Sequence, residues 1–147
     1  MQIKSTSFDN NQAIPTSFTC KGDGVSPPLT FAAIPADAQS LALWMHDPDA
    51  PSGDFSHWVV WDIPATTASL QQGSLPIGAI EGTNDFGRLG YGGPCPPAGT
   101  GTHHYIFELF ALATSLTLAP GAHTRDVRAA LSAHVLAHAT LTGTASA

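Results

Sequence analysis

Along most of this chain apolar and polar positions alternate in short runs, and nearly every run is closed by glycine or proline. The longest run, HHYIFELFAL at His103–Leu112, puts His103, Tyr105, Phe107, Leu109 and Ala111 on one face. The other face carries His104, Ile106, Glu108, Phe110 and Leu112. Both faces are mainly apolar, which predicts a central strand between two layers. Ser40–Asp47 (SLALWMHD) and His57–Ile63 (HWVVWDI, stopped by Pro64) are predicted strands rich in aromatic and branched residues. DPDAPSGDFS between them reads as loop. Gln2–Phe8 alternates weakly and predicts an edge strand, followed by a turn at Asp9–Ala13. Phe18–Cys20 extends a strand before the turn KGDG, and Leu29–Ile34 is a short strand closed by Pro35. Ala65–Gly90 is a long connection with a short strand at Ala79–Glu81. The one helix is Thr124–Ser132, with Thr124 as its cap, Asp126 in its first turn and an apolar stripe of Val127, Ala130 and Leu131. His134–Thr144 predicts a last strand. Many short strands and one or two short helices make the expected fold mainly β, a sandwich of two antiparallel sheets with Greek-key topology.

Composition narrows the classes. The chain has 147 residues, enough for a single domain over 1–147. It is 43% hydrophobic and 11% charged, a globular balance. Eleven acids against five bases give a formal charge of −6, which argues against nucleic acid or an anionic membrane surface as partner. No run approaches a membrane span and the N-terminus has no apolar signal region, so the expected location is cytoplasmic and not integral to a membrane. Cys20 and Cys95 make no disulfide framework. Reduced loop thiols are the expected state, with pairing between the two as the alternative.

Candidate chemistry gathers where strands end. In the predicted phase Leu41, Leu43, Met45 and Asp47 share a face, as do His57, Val59, Trp61 and Ile63. Asp47 ends one strand and His57 starts the next, so a hairpin brings both to one edge. If His103 starts its strand there too, Asp47, His57, His103 and Tyr105 cap one core. A carboxylate beside imidazoles raises their pKa, which would keep His57, His103 or both partly cationic and fit for an anion. The stretch Gly90–Gly99 holds four glycines and three prolines, a stiff rim for such a site. Backbone N–H groups along Gly99–Gly101 could form a nest for phosphate oxygens. A zwitterion such as phosphoethanolamine would suit this set. Two rival readings stand: a hydrolase or isomerase acting on a phosphoester through the same four groups, and a protein-interaction module. A Ser56–His57–Asp47 triad is disfavoured because adjacent residues point to opposite strand faces, and no close-spaced ligand pair calls for a metal or cofactor.

Three motifs carry a resemblance: DPDAP at Asp47–Pro51, HWVVWDIP at His57–Pro64 and GPCPPAGTGTHHY at Gly93–Tyr105. Together they resemble the phosphatidylethanolamine-binding protein family, and most closely its bacterial Raf-kinase-inhibitor-like branch. The resemblance implies a ligand pocket of Asp47, His57, Pro97, His103 and Tyr105, a rim shaped by Asp49 and Pro51, and Trp58 and Pro96 nearby. It implies binding of phospholipid head groups or phosphorylated ligands, modulation of a kinase or serine protease, and a homodimer. Two departures temper it. The chain stops at Ala147 without the C-terminal helix that partly covers the pocket in animal members, and His104 stands where many members carry arginine.

Overall fold

The computed structural model describes residues 1–147. In chain order the strands are β1 (Gln2–Lys4), β2 (Gln12–Ala13), β3 (Leu29–Ala32), β4 (Ser40–Asp47), β5 (Phe55–Pro64), β6 (Ser69–Leu70), β7 (Ile80–Glu81), β8 (His103–Leu112) and β9 (Val135–Ala145). One helix, α1 (Thr124–Leu131), precedes β9, and a single 3-10 turn spans Thr16–Phe18. The strands form a six-stranded sheet in the order β2-β9-β8-β4-β5-β7 and a three-stranded sheet in the order β1-β3-β6. All pairings are antiparallel except β2 with β9, which is parallel. The mainly β architecture of two sheets and one helix is the one the alternation predicts, with β8 and β4 central in the large sheet.

Two apolar clusters make three layers. Between the sheets lie 19 buried residues, among them Phe31, Leu43, Met45, Trp58, Val60, Tyr105 and Phe107. On the other face of the large sheet Ala42, Trp44, Val59 and Trp61 pack beneath α1 through Val127 and Leu131. Burial on both faces explains why every residue of β4 is buried and why its sequence shows little alternation.

Strand β5 departs from simple alternation twice. Its register against β4 shifts between Met45 and His46, where Trp58 and then Ser56 are the partners. His57 is therefore an extra residue, and both His57 and Trp58 face inward. A second shift lies between Leu41 and Leu43, opposite Ile63 and Val60, and leaves Asp62 at φ +53°. The predicted face of His57, Val59, Trp61 and Ile63 is corrected accordingly: Val59 and Trp61 belong to the cluster under α1, while Trp58 and Val60 belong to the core between the sheets.

Several local expectations also change. Phe18–Cys20 is no strand but the end of the 3-10 turn and a further turn. The edge strand stops at Lys4, and the 65–90 connection carries an extra short strand, β6. Thr124 does not cap α1: His123 holds the cap position without a side-chain bond, and the Thr124 hydroxyl pairs with Ser56 Oγ. The largest correction is covalent. Cys20 and Cys95 form a disulfide, with their Cα atoms 5.4 Å apart, so neither is a free thiol.

Candidate functional site

Asp47 is the last residue of β4, and β8 runs antiparallel beside it so that His103 and Tyr105 arrive at the same end of the core. The first β5 bulge turns His57 toward them. The His57 and Tyr105 rings meet edge to face at 5.1 Å, and all four residues are at least 97% buried. They line a cavity of about 300 Å³ together with Pro51, Pro96, Pro97 and Cys95. Phe55 and Phe86 complete its wall. Sequence reasoning missed both phenylalanines, although Phe55 could have been found as the register partner of Asp47 across the hairpin.

The polar groups are bonded in a fixed order. Asp47 Oδ2 lies 2.6 Å from His103 Nδ1, and Asp47 Oδ1 accepts the Asp49 N–H at 2.8 Å. His103 Nε2 lies 2.9 Å from Thr100 Oγ1, whose hydroxyl is also 2.6 Å from the Pro97 carbonyl. His57 differs. Its Nδ1 is 2.7 Å from the Gly92 carbonyl, which can only accept, so Nδ1 carries the proton and Nε2 keeps a lone pair. Burial lowers the His57 pKa below the usual 6.5, outweighing the Gly92 bond and the charge of Asp47. The expectation that His57, His103 or both stay partly cationic is thus corrected for His57, which is neutral near pH 7. Burial first, then the charges of Asp47 and Asp49, push the Tyr105 phenol well above its usual range. Tyr105 is therefore a permanent hydroxyl donor at physiological pH.

Other candidates lie elsewhere. Asp49 is turned to the surface, where its carboxylate takes the His104 N–H at 2.8 Å and His104 Nδ1 at 2.7 Å. Its pKa falls below 3.8 chiefly through that side-chain bond. Trp58 does not line the cavity: its indole N–H donates to Glu81 at 2.8 Å in the core. Gly99 and Gly101 are exposed and make no wall of the cavity. Ser56 faces away, with its hydroxyl between Trp44 Nε1 and Thr124 Oγ1, which breaks any Ser56–His57–Asp47 triad. No lysine or arginine lines the cavity, and no trio of His, Cys, Asp or Glu is arranged to hold a metal ion.

Comparison with known proteins places this geometry. The model of the family described as phosphatidylethanolamine-binding protein matches residues 4–146. The chain belongs to the phosphatidylethanolamine-binding protein family. A family relative from Methanothermobacter thermautotrophicus, described only as a UPF0098 protein, is 46% identical, with 97% of each chain covered. A Mycobacterium tuberculosis protein named as a candidate lipoprotein, LppC, is 44% identical over 98% of this chain and 71% of its own. Among solved structures, Escherichia coli YbcL, described as a member of the mammalian family, superposes with a TM-score of 0.93 at 35% identity. That match covers 99% of this chain and 98% of YbcL. No helix here is long and apolar enough to cross a membrane.

Proposed function

We propose that the cavity binds the phosphate-bearing head group of a small ligand, of which phosphoethanolamine is the model. The observation that carries this reading is the meeting of a permanent donor and a permanent acceptor in one cup of about 300 Å³: the Tyr105 hydroxyl and the His57 Nε2 lone pair. The Asp47-bound His103 stands beside them. In this arrangement one phosphate oxygen accepts from Tyr105, while both His103 ring nitrogens stay engaged with Asp47 and Thr100. A protonated phosphate oxygen donates to His57 Nε2. The ammonium end lies toward Phe55 and Phe86, whose ring faces favour a cation. The family's name accords with this ligand class. Without a fixed arginine or lysine the cavity favours the monoanion, because a dianion would set a lone pair against that of His57.

The pH dependence follows from that last point. The His57 pKa is lowered, so the ring stays neutral through the neutral range and the proton comes from the ligand. Affinity for a phosphomonoester rises as pH falls through the ligand's second ionisation, at about 6. Isothermal calorimetry across that range tests it. A second monoester with a higher second pKa should shift the whole profile upward by the same amount. Absence of binding at millimolar concentration, or a profile indifferent to the ligand's own pKa, would sink the proposal.

A further inference from the structure

Each aspartate from the end of β4 to the start of β5 is paired with a histidine. Asp47 meets His103 at 2.6 Å, Asp49 meets His104 at 2.7 Å and Asp54 meets His46 at 2.7 Å. The hairpin between them supplies Ala50, Pro51 and Ser52 to the cavity wall, and Phe55 follows directly on Asp54. The third pair belongs to the opposite face of the large sheet from the cavity and has no part in the ligand reading above. It is also built differently from the other two.

His46 is held on both ring nitrogens by carboxylates. Nδ1 lies 2.7 Å from Asp54 Oδ1 and Nε2 lies 2.7 Å from Glu108 Oε2. Carboxylates only accept, so the ring must donate twice and is an imidazolium. The surroundings support the charge. The ring stacks on Trp44 at 3.7 Å, while Arg128 of α1 also lies over that indole, at 4.1 Å. Glu108 Oε1 is 2.7 Å from His138 Nε2 on β9. These are the titratable and charged groups facing His46: Asp54 from the hairpin, Glu108 from β8, His138 from β9 and Arg128 from α1. Burial opposes the charge on His46, but the bonds to Glu108 and Asp54 outweigh it and raise its pKa above 6.5. The same bond to His46 leads the causes that lower the Glu108 pKa.

We propose that His46 is a proton-operated latch on the hairpin that walls the cavity, releasing Asp54 when the ring becomes neutral. This regulation rests on the ligand-binding reading of the cavity, but the latch itself does not. A neutral ring has one N–H, so one of the two carboxylates then faces a lone pair at 2.7 Å and must leave. The Glu108 side chain is 17% exposed and is held by His138 as well, whereas that of Asp54 is 46% exposed. Asp54 is the one to go. Its departure frees the end of the hairpin and the Phe55 ring, which packs at 4.8 Å from Phe86 and 5.1 Å from His57. The sign is fixed by the raised pKa: the latch is closed below the usual histidine value and opens as pH rises through the higher, folded-state value.

The test is NMR of the full chain without ligand, from about pH 5.5 to about 8.5. The His46 ring should titrate above about 6.5, and the amides of Gly53, Asp54 and Phe55 should move with the same midpoint. Asp54→Asn should abolish the hairpin's movement while the ring still titrates, because a carboxamide can accept from the charged ring and donate to the neutral one. That variant leaves the Asp47–His103 and Asp49–His104 pairs intact, so their titration cannot mimic the result. Phosphoethanolamine affinity should fall about tenfold across the transition in the wild type, beyond any change that Asp54→Asn shares. Hairpin amides that ignore the ring, or a ring that does not titrate above its usual value, would overturn the latch. Normal titration with no phosphoethanolamine binding in either protein would leave the latch standing and overturn only its ligand.

Discussion

His57 and His46 show how the same side chain takes opposite states eleven residues apart. Both are buried, and burial disfavours the charged ring in each. His57 has only a carbonyl on one nitrogen and stays neutral, while His46 has a carboxylate on each and stays charged. Neither outcome was legible in the sequence, because it depends on which acceptors the fold delivers. Asp47, His103 and Tyr105 were legible from strand ends and alternation once His103 is taken to start its strand at the edge where Asp47 ends. A prediction belongs to this scale. Tyr105→Phe keeps the ring packed against His57 but removes the donor. It should weaken phosphoethanolamine binding roughly tenfold or more, as expected for a hydrogen bond to a charged group, with thermal stability nearly unchanged. Calorimetry beside a melting curve measures both.

At the scale of elements, β5 is where reading by alternation failed. The strand itself was legible from its aromatic and branched residues, but two bulges offset its phase, and a bulge has no dependable signature when no glycine marks it. Asp62 at φ +53° is such a case, held by its carboxylate accepting the Leu116 N–H at 2.8 Å. The consequence is chemical, because the first bulge lets His57 reach the cavity while Trp58 still fills the core. The helix cap was misread for a related reason: Thr124 found a tertiary partner in Ser56, which outweighed the local bond to its own backbone. Close strand packing gives a further prediction. A Cβ on Gly143 of β9 would lie 2.4 Å from Ile14 Cγ1 and 2.9 Å from Phe8. Gly143→Ala should therefore cost about 1–3 kcal/mol in urea unfolding, the usual penalty for overpacking.

For the whole molecule, the two-sheet architecture was readable from punctuation and patterning, and its family from three short motifs. The disulfide was not, because two cysteines 75 residues apart say nothing of proximity until the fold is known. It joins the turn after Phe18 to the proline-rich wall of the cavity, where the Tyr91 hydroxyl also donates to the Phe18 carbonyl at 2.7 Å. Replacing both cysteines by serine should lower stability by about 2–4 kcal/mol in denaturant unfolding. The bridge also bears on the expected cytoplasmic location, since such bonds persist chiefly in oxidising compartments. Thiol titration of the unfolded protein as isolated should find no free sulfhydryl. One consequence is mechanical. A protease that nicks the backbone once anywhere between Cys20 and Cys95 severs the polymer but cannot part the fragments. On a denaturing gel the clipped protein should run as one band until a reductant is added, and only then as two.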